Sequence, residues 1–312
     1  MSFLTVSHTT VYRYRQPVGL GEHRMMFRPR ESHDLRLIRS DLQIAPRPAQ
    51  LRWLHDPFDN SVAVAHFEGT TSELRFESTV TLEHFENTVP VYPLEEYAKT
   101  YPFRYADEDI LNLERALAHH FNAKSVSEWA LQFLDSAEST ETMMILRRMT
   151  LGIRKEFRYT RRPEKGVQTP EETLEWRKGS CRDFAVLMME ACRSLGIAAR
   201  FVSGYIFVPS TAEVAANGTA QPSGATHGGG ATHASGATHG GGATHAWMQA
   251  YLPGAGWVDF DPTNSIIGNR NLIRVAVAWS PDQVLPLWGT YDGPAGAFLE
   301  MDVTVTVDEV TG

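Results

Sequence analysis

Cysteine is nearly absent from this chain, with two in 312 residues. So small a number excludes a scaffold stapled by disulfides. Cys181 and Cys192 read as parts of one helix, where eleven residues separate their backbones by roughly 16 Å at about 1.5 Å per residue. A disulfide needs Cα atoms within about 7 Å, so the two cannot bridge within one molecule. Cys192 lies among Met188, Met189, Ala191 and Leu195 and reads as a small buried hydrophobe, which leaves Cys181 as the thiol free for chemistry. Long apolar runs are lacking too. No stretch approaches a membrane span, and residues 1–8 do not follow the charged-then-apolar order of a secretory leader, so the expectation is a cytoplasmic protein with no membrane partner. Positive charge is in deficit: Lys and Arg number 29 against 37 Asp and Glu, a formal net charge of -8. Nucleic acid is therefore not an expected partner, because Lys and Arg would have to neutralise its phosphates. A basic substrate is compatible with that charge.

What is present is ordinary in bulk, 42% hydrophobic and 21% charged, as in a folded globular protein. The order of patterns is more informative. Leu4, Val6, His8, Thr10, Tyr12 and Tyr14 share one face of a period-2 pattern, and residues 35–44, 62–67 and 74–85 repeat the tendency. Asp56-Pro57-Phe58-Asp59-Asn60 is turn chemistry between two such runs. Residues 1–88 therefore read as an antiparallel β-sandwich domain, and 89–105, punctuated by Pro90, Pro93 and Pro102, as a linker. Residues 106–312 read as a second domain, giving an α+β chain. Ser125 and Glu128 have capping-box spacing, Ser139-Thr140-Glu141 precedes another helical pattern, and Thr169-Pro170-Glu171-Glu172 opens a third. A helix begins at Cys181 with Phe184, Leu187, Met188, Ala191 and Leu195 at spacings of three and four. Gly196 ends it, and strands are expected over 199–208, 245–252, 256–260 and 301–307.

A duplication precedes one of these strands. Residues 224–235 and 236–247 match at eleven of twelve positions, so His227, His233, His239 and His245 each close an Ala-Thr-His triplet. His-rich tracts can bind transition metals, yet Gly, Ala and Ser filling imposes no geometry. The tract reads as a flexible insertion over 211–243, and no metal or cofactor is expected. Only His245 continues into an alternating run, Trp247-Met248-Gln249-Ala250-Tyr251-Leu252, that could hold an imidazole on a rigid element.

Cys181, His245 and Asp261 stand in the order and setting of a thiol catalytic triad. A cysteine becomes a useful nucleophile as thiolate, favoured by a helix N-terminus and a neighbouring imidazolium. A carboxylate behind the histidine would fix its orientation. Asp259 competes for that place, since residues two apart on a strand face the same side. Asp183 reads as a complement to the positive helix end.

Four ordered blocks resemble the transglutaminase-like superfamily, specifically its bacterial two-domain proteins with an N-terminal sandwich and a papain-like thiol core. They are Gly179-Ser180-Cys181-Arg182-Asp183-Phe184-Ala185, residues 195–205, His245-Ala246-Trp247, and Gly256-Trp257-Val258-Asp259-Phe260-Asp261-Pro262-Thr263-Asn264. The N-terminal part is similar through His8, Thr10, Tyr12, Tyr14 and Asp56-Pro57-Phe58-Asp59-Asn60, where the family's usual Gly-Asn turn is Asp59-Asn60. The resemblance implies Cys181 as nucleophile, His245 as general base and then acid, and Asp261, directly before the Pro-Thr ending, as the residue orienting His245. It further implies acyl transfer on a peptide or carboxamide through a thioester, with a peptide or protein as substrate and hydrolysis favoured. A protein-glutamine transglutaminase and a non-catalytic peptide-binding module are the alternatives. Tyr159 and Trp176 are candidates for a second oxyanion donor. Residues 278–286 lack the family's common Arg-Asp-Tyr sequence, and that loop is expected to border the substrate cleft.

Overall fold

The computed structural model describes residues 2–85, 92–121, 123–135, 139–162, 166–208 and 244–310. Residues 211–243, with His227, His233 and His239, lie outside them, as do 86–88 at the end of the expected first domain and 89–91 of the expected linker. Five strands come first: β1 (Ser2–Met25), β2 (Leu35–Ala45), β3 (Gln50–His55), β4 (Ser61–His66) and β5 (Thr70–His84). They pair in the order β2-β5-β1-β4-β3. The face of β1 carrying Leu4, Val6, His8, Thr10 and Tyr14 is buried, as its alternation requires when one side meets a core. The ladder between β1 and β5 is interrupted from Arg13 to Val18, a gap that holds Pro17, which has no N–H to offer a ladder.

The middle of the chain carries β6 (Thr100–Tyr101), α1 (Asp107–Leu117), α2 (Lys124–Leu131), β7 (Thr140–Glu141), α3 (Thr142–Glu156), β8 (Arg158–Tyr159), α4 (Pro170–Trp176), β9 (Lys178–Gly179) and α5 (Cys181–Ser194). Thr169 caps α4 as its sequence indicates: the Glu172 N–H donates to Thr169 Oγ1 at 3.1 Å, and the Thr169 N–H donates to Glu172 Oε2 at 2.9 Å. Ser125 plays no such part, because α2 starts one residue earlier with Ala123 as its N-cap. Helix α1 opens after Ala106 without a side-chain cap but with three acidic residues in its first turn, which suit the helix dipole.

A second antiparallel sheet follows, formed by β10 (Ala199–Ile206), β11 (His245–Leu252), β12 (Gly256–Asp261), β13 (Ile266–Ile267) and β14 (Leu272–Ala278) in the order β13-β12-β11-β10-β14. Helix α5 lies against it, with Phe184, Met188 and Ala191 in one buried cluster with Phe201, Met248 and Ile273. That cluster also takes in Leu4, Val6, Val80 and Leu82, so the two sheets share a core. The fold is mixed α/β with antiparallel sheets. Among the described residues, no helix is long and apolar enough to cross a membrane.

The last two strands depart from the division at residue 106. β15 (Leu287–Asp292) and β16 (Phe298–Glu309) pair with β1, so the chain returns to its first sheet. The alternation over 301–307 identifies a strand, but the partner of a strand is set by non-local register. Polar contacts tie the two sheets together. Asn60 donates to the Val277 carbonyl at 2.8 Å and accepts from the Val277 N–H at 2.9 Å. Asp59, beside it, sits at φ +62°, a conformation that glycine adopts freely and Asp tolerates. His8 Nδ1 lies 2.9 Å from the Tyr205 hydroxyl, and its Nε2 lies 3.0 Å from Thr10 Oγ1.

Candidate active site

Cys181 is the first residue of α5, so its N–H has no intrahelical acceptor and faces outward with the positive end of the helix. The turn before it is fixed by Asp183, which is fully buried. Asp183 accepts from the Ser180 N–H at 2.7 Å and Ser180 Oγ at 2.8 Å, and from the Gln168 N–H and Arg162 Nη1 at 2.7 Å each. Asp183 thus holds the helix start in place and is saturated by donors. Gly179 is needed there because a Cβ would stand 2.9 Å from that of Asp183. Strands β8 and β9 run parallel, pairing Tyr159 with Gly179, and bring residues 158–160 alongside the start of α5.

His245 opens β11 beside α5 and is 1% exposed. Its Nε2 is 2.8 Å from Asp261 Oδ2, and its ring stacks on Trp247 with centroids 5.9 Å apart. Burial pushes the imidazole down. The opposing pull of Asp261, joined by the Cys181 sulfur, wins and raises its pKa to about 10. Nδ1, the nitrogen left for the thiol, is buried without a partner at hydrogen-bond geometry among the described residues. The Cys181 sulfur is nevertheless near enough to the imidazole to help raise its pKa. Cys192, by contrast, is completely buried, and burial pushes its thiol up to about 12.

Asp261 and Asp259, which alternation alone could not separate, are separated by their partners. Asp261 accepts the Thr263 N–H at 2.9 Å on Oδ1, and both His245 and Asn264 Nδ2 at 2.8 Å on Oδ2. Asp259 takes Trp247 Nε1 at 2.6 Å, Gln249 Nε2 at 2.9 Å and Arg274 Nη1 at 2.8 Å. Arg274 also reaches Asp34 at 2.5 Å, so Asp259 belongs to the link between the sheets. Asn264 was missed by sequence reasoning as a site residue. The turn at Pro262 that releases β12 is the signal that brings the next amides back onto Asp261. A groove of about 360 Å³ begins one residue further on, lined by Tyr92, Met143, Arg147, Leu151, Ser265 and Ile267.

Of the two upstream aromatics, Tyr159 is half-buried near the thiol. Burial and then the Cys181 sulfur push its hydroxyl up to about 12. Trp176 is 47% exposed and lies under the Lys178 ammonium. The 278–286 loop is at the opposite end of α5 from Cys181. Arg193, twelve residues along and so about 18 Å away, donates to the Trp279 carbonyl at 2.8 Å. Trp279, at the start of the loop expected to border the substrate cleft, is thus remote from the thiol.

Residues 129–262, from α2 to the end of β12, match the family model of the transglutaminase-like superfamily, and residues 4–83 match the bacterial transglutaminase-like N-terminal region. The chain belongs to the transglutaminase-like superfamily. A candidate cysteine protease from Cytophaga hutchinsonii has the same fold as this transglutaminase-like protein, with TM-score 0.67 and 16% identity over 100% of this chain and 91% of that one. The periplasmic domain of TgpA from Pseudomonas aeruginosa aligns over 85% of this chain and 88% of that chain at 15% identity, with a TM-score of 0.37. An uncharacterized protein of Mycobacterium leprae (strain TN) is 33% identical over 135 residues, which are 43% of this chain. The match spans only 40% of that relative's length.

Proposed function

We propose that this transglutaminase-like protein is a thiol acyl-transfer enzyme that cleaves peptide or carboxamide bonds through a thioester on Cys181, with water as the usual acceptor. The observation that carries the reading is the buried His245, bound through Nε2 to Asp261 with Nδ1 left for the Cys181 thiol. With its pKa raised, His245 holds the proton of Cys181 as an imidazolium beside the thiolate; Sγ attacks the carbonyl carbon, and His245 gives the proton to the departing amine as the C–N bond breaks. Water next attacks the thioester, with His245 as base, releasing a carboxylic acid and restoring the thiol. The Cys181 N–H at the helix start is one oxyanion donor. Tyr159, whose hydroxyl keeps its proton at neutral pH, is the second in this reading. The candidate cysteine protease that shares the fold points to hydrolysis in the same direction.

The test is to incubate the protein with a glutamine-containing peptide and a labelled primary amine, following hydrolysis and amine incorporation together. Release of acid exceeding amine incorporation, both lost in Cys181→Ala, is expected. Incorporation exceeding hydrolysis would make the protein a transglutaminase. No acylation of Cys181 by any peptide would leave the fold as a binding module.

A further inference from the structure

One of the polar links between the two sheets continues into the candidate active site. Asp34, the residue before β2, accepts from Arg274 Nη2 at 2.5 Å, and Arg274 Nη1 donates to Asp259 Oδ2 at 2.8 Å. The other oxygen of Asp259 accepts the indole N–H of Trp247 at 2.6 Å. That indole lies against the His245 imidazole, with ring planes 27° apart and centroids 5.9 Å apart. Signs alternate along this line: carboxylate, guanidinium, carboxylate, indole N–H, imidazolium, and then the carboxylate of Asp261. Asp34, Asp259, Trp247 and His245 are buried, and only 13% of the Arg274 side chain is exposed, so solvent screens these charges little. Gly204 keeps the line closed. It pairs with Arg274 on one side and His245 on the other, and a Cβ there would stand 2.8 Å from the Trp247 ring.

A thiol and an imidazole need one carboxylate behind the ring, which Asp261 supplies. The line adds a second support. A cation within about 6 Å of an indole face is attracted to it, and a carboxylate bonded to the indole N–H polarises the ring in the favourable sense. Arg274 divides its charge between two carboxylates. Without Asp34, all of that charge would fall on Asp259 and weaken its pull on the indole.

We propose that Asp34, Arg274, Asp259 and Trp247 are positioning residues for His245, so that the first sheet sets how well the second holds an imidazolium beside Cys181. This rests on Cys181 being the nucleophile and His245 its partner. His245 faces Asp261 from β12 and Cys181 from α5, and Gly204 on β10 offers no side chain. The test follows the His245 titration by nuclear magnetic resonance in protein labelled on histidine, the signal being assigned by its loss in His245→Ala. Alkylation of Cys181 by iodoacetamide is measured in parallel. Losing a group that favours the imidazolium lowers the midpoint. Trp247→Phe keeps a ring and removes the N–H, and should lower it by about 0.5–1 pH unit. Asp34→Asn should lower it by less. The double variant should fall no further than Trp247→Phe alone, because residues that act through one another are not additive. Arg274→Lys keeps the charge and loses the fork; it should resemble Asp34→Asn, and it replaces that variant if Asp34→Asn does not fold. Tyr205→Phe breaks the separate contact with His8 between the sheets and should leave the midpoint unchanged. Unmoved midpoints in Trp247→Phe and Asp34→Asn, fully additive shifts, or an equal shift in Tyr205→Phe would overturn the line while the thiol reading stands. If Cys181 is alkylated equally fast with and without His245, the thiol reading fails and the line has no catalytic group to position.

Discussion

His245 and His8 are buried almost equally, at 1% and 2% exposure, yet the protein pushes them in opposite directions. His8, on the first sheet, faces the neutral hydroxyls of Tyr205 and Thr10, and burial drives its pKa down to about 4. His245, on the second sheet, meets the same burial but also Asp261 and Cys181, and its pKa rises to about 10. Burial disfavours the imidazolium in both places; a charged partner decides whether it forms. One region is built to hold a proton beside a sulfur. The other uses a neutral histidine to join two sheets.

The most severe way to break this comparison is Asp261→Asn. Without the carboxylate, burial acts on His245 with little opposition, so its pKa should drop below the ordinary histidine value. Alkylation of Cys181 at neutral pH should slow by roughly 10²–10⁴-fold, the usual weight of general acid–base help. Cys192 in the denatured protein serves as the reference thiol. The next test is stability against pH. His8 must gain a proton on unfolding, so its contribution is present above about pH 6.5 and is lost as pH falls towards about 4. A difference of that size is worth about 3 kcal/mol. Urea titrations between pH 7 and 4 should show this slope, and His8→Asn should flatten it. His245 acts on the other side: its ion pair stabilises fully below about pH 6.5 and is lost as pH rises through about 10, and Asp261→Asn should remove that alkaline slope.

Smaller effects concern the frame that sets these environments. Gly204 pairs with His245 across the sheet, and a Cβ there would fall 2.1 Å from the Ile273 carbonyl oxygen and 2.8 Å from Trp247. Gly204→Ala should cost about 1–3 kcal/mol by overpacking, measured by thermal unfolding, with Cys181 alkylation slowed as the strand shifts. Asp59→Gly at the latch turn relieves a positive φ and should change stability by less than about 1 kcal/mol.

The elements that local pattern could reveal are those with a local cause. Thr169 and Glu172 fall where a capping box must, and the buried face of β1 follows from alternation alone. His245 differs from its three repeats because only it is followed in the sequence by an alternating run, which forms β11. The partnership of β1 with β15 and β16 was not legible, since an alternating run says that it is a strand and not where it docks. Helix α1 was hidden because Ala106 offers no capping oxygen. The same limit applied at the site: Asp259 and Asp261 are equivalent by period, and only the positions of Trp247, Gln249 and Arg274, from other strands, tell them apart. The turn at residues 56–60 was visible as a turn, while its grip on Val277 depends on a strand more than two hundred residues away.

The most direct measurement is the pH dependence of Cys181 alkylation by iodoacetamide in the unaltered protein and in His245→Ala, mapped by mass spectrometry. If His245 and Cys181 act as one unit, Cys181 should react at neutral pH at least about 100-fold faster in the unaltered protein than in His245→Ala. Cys192 should remain unmodified in both. Equal rates at Cys181 with and without His245 would contradict the account.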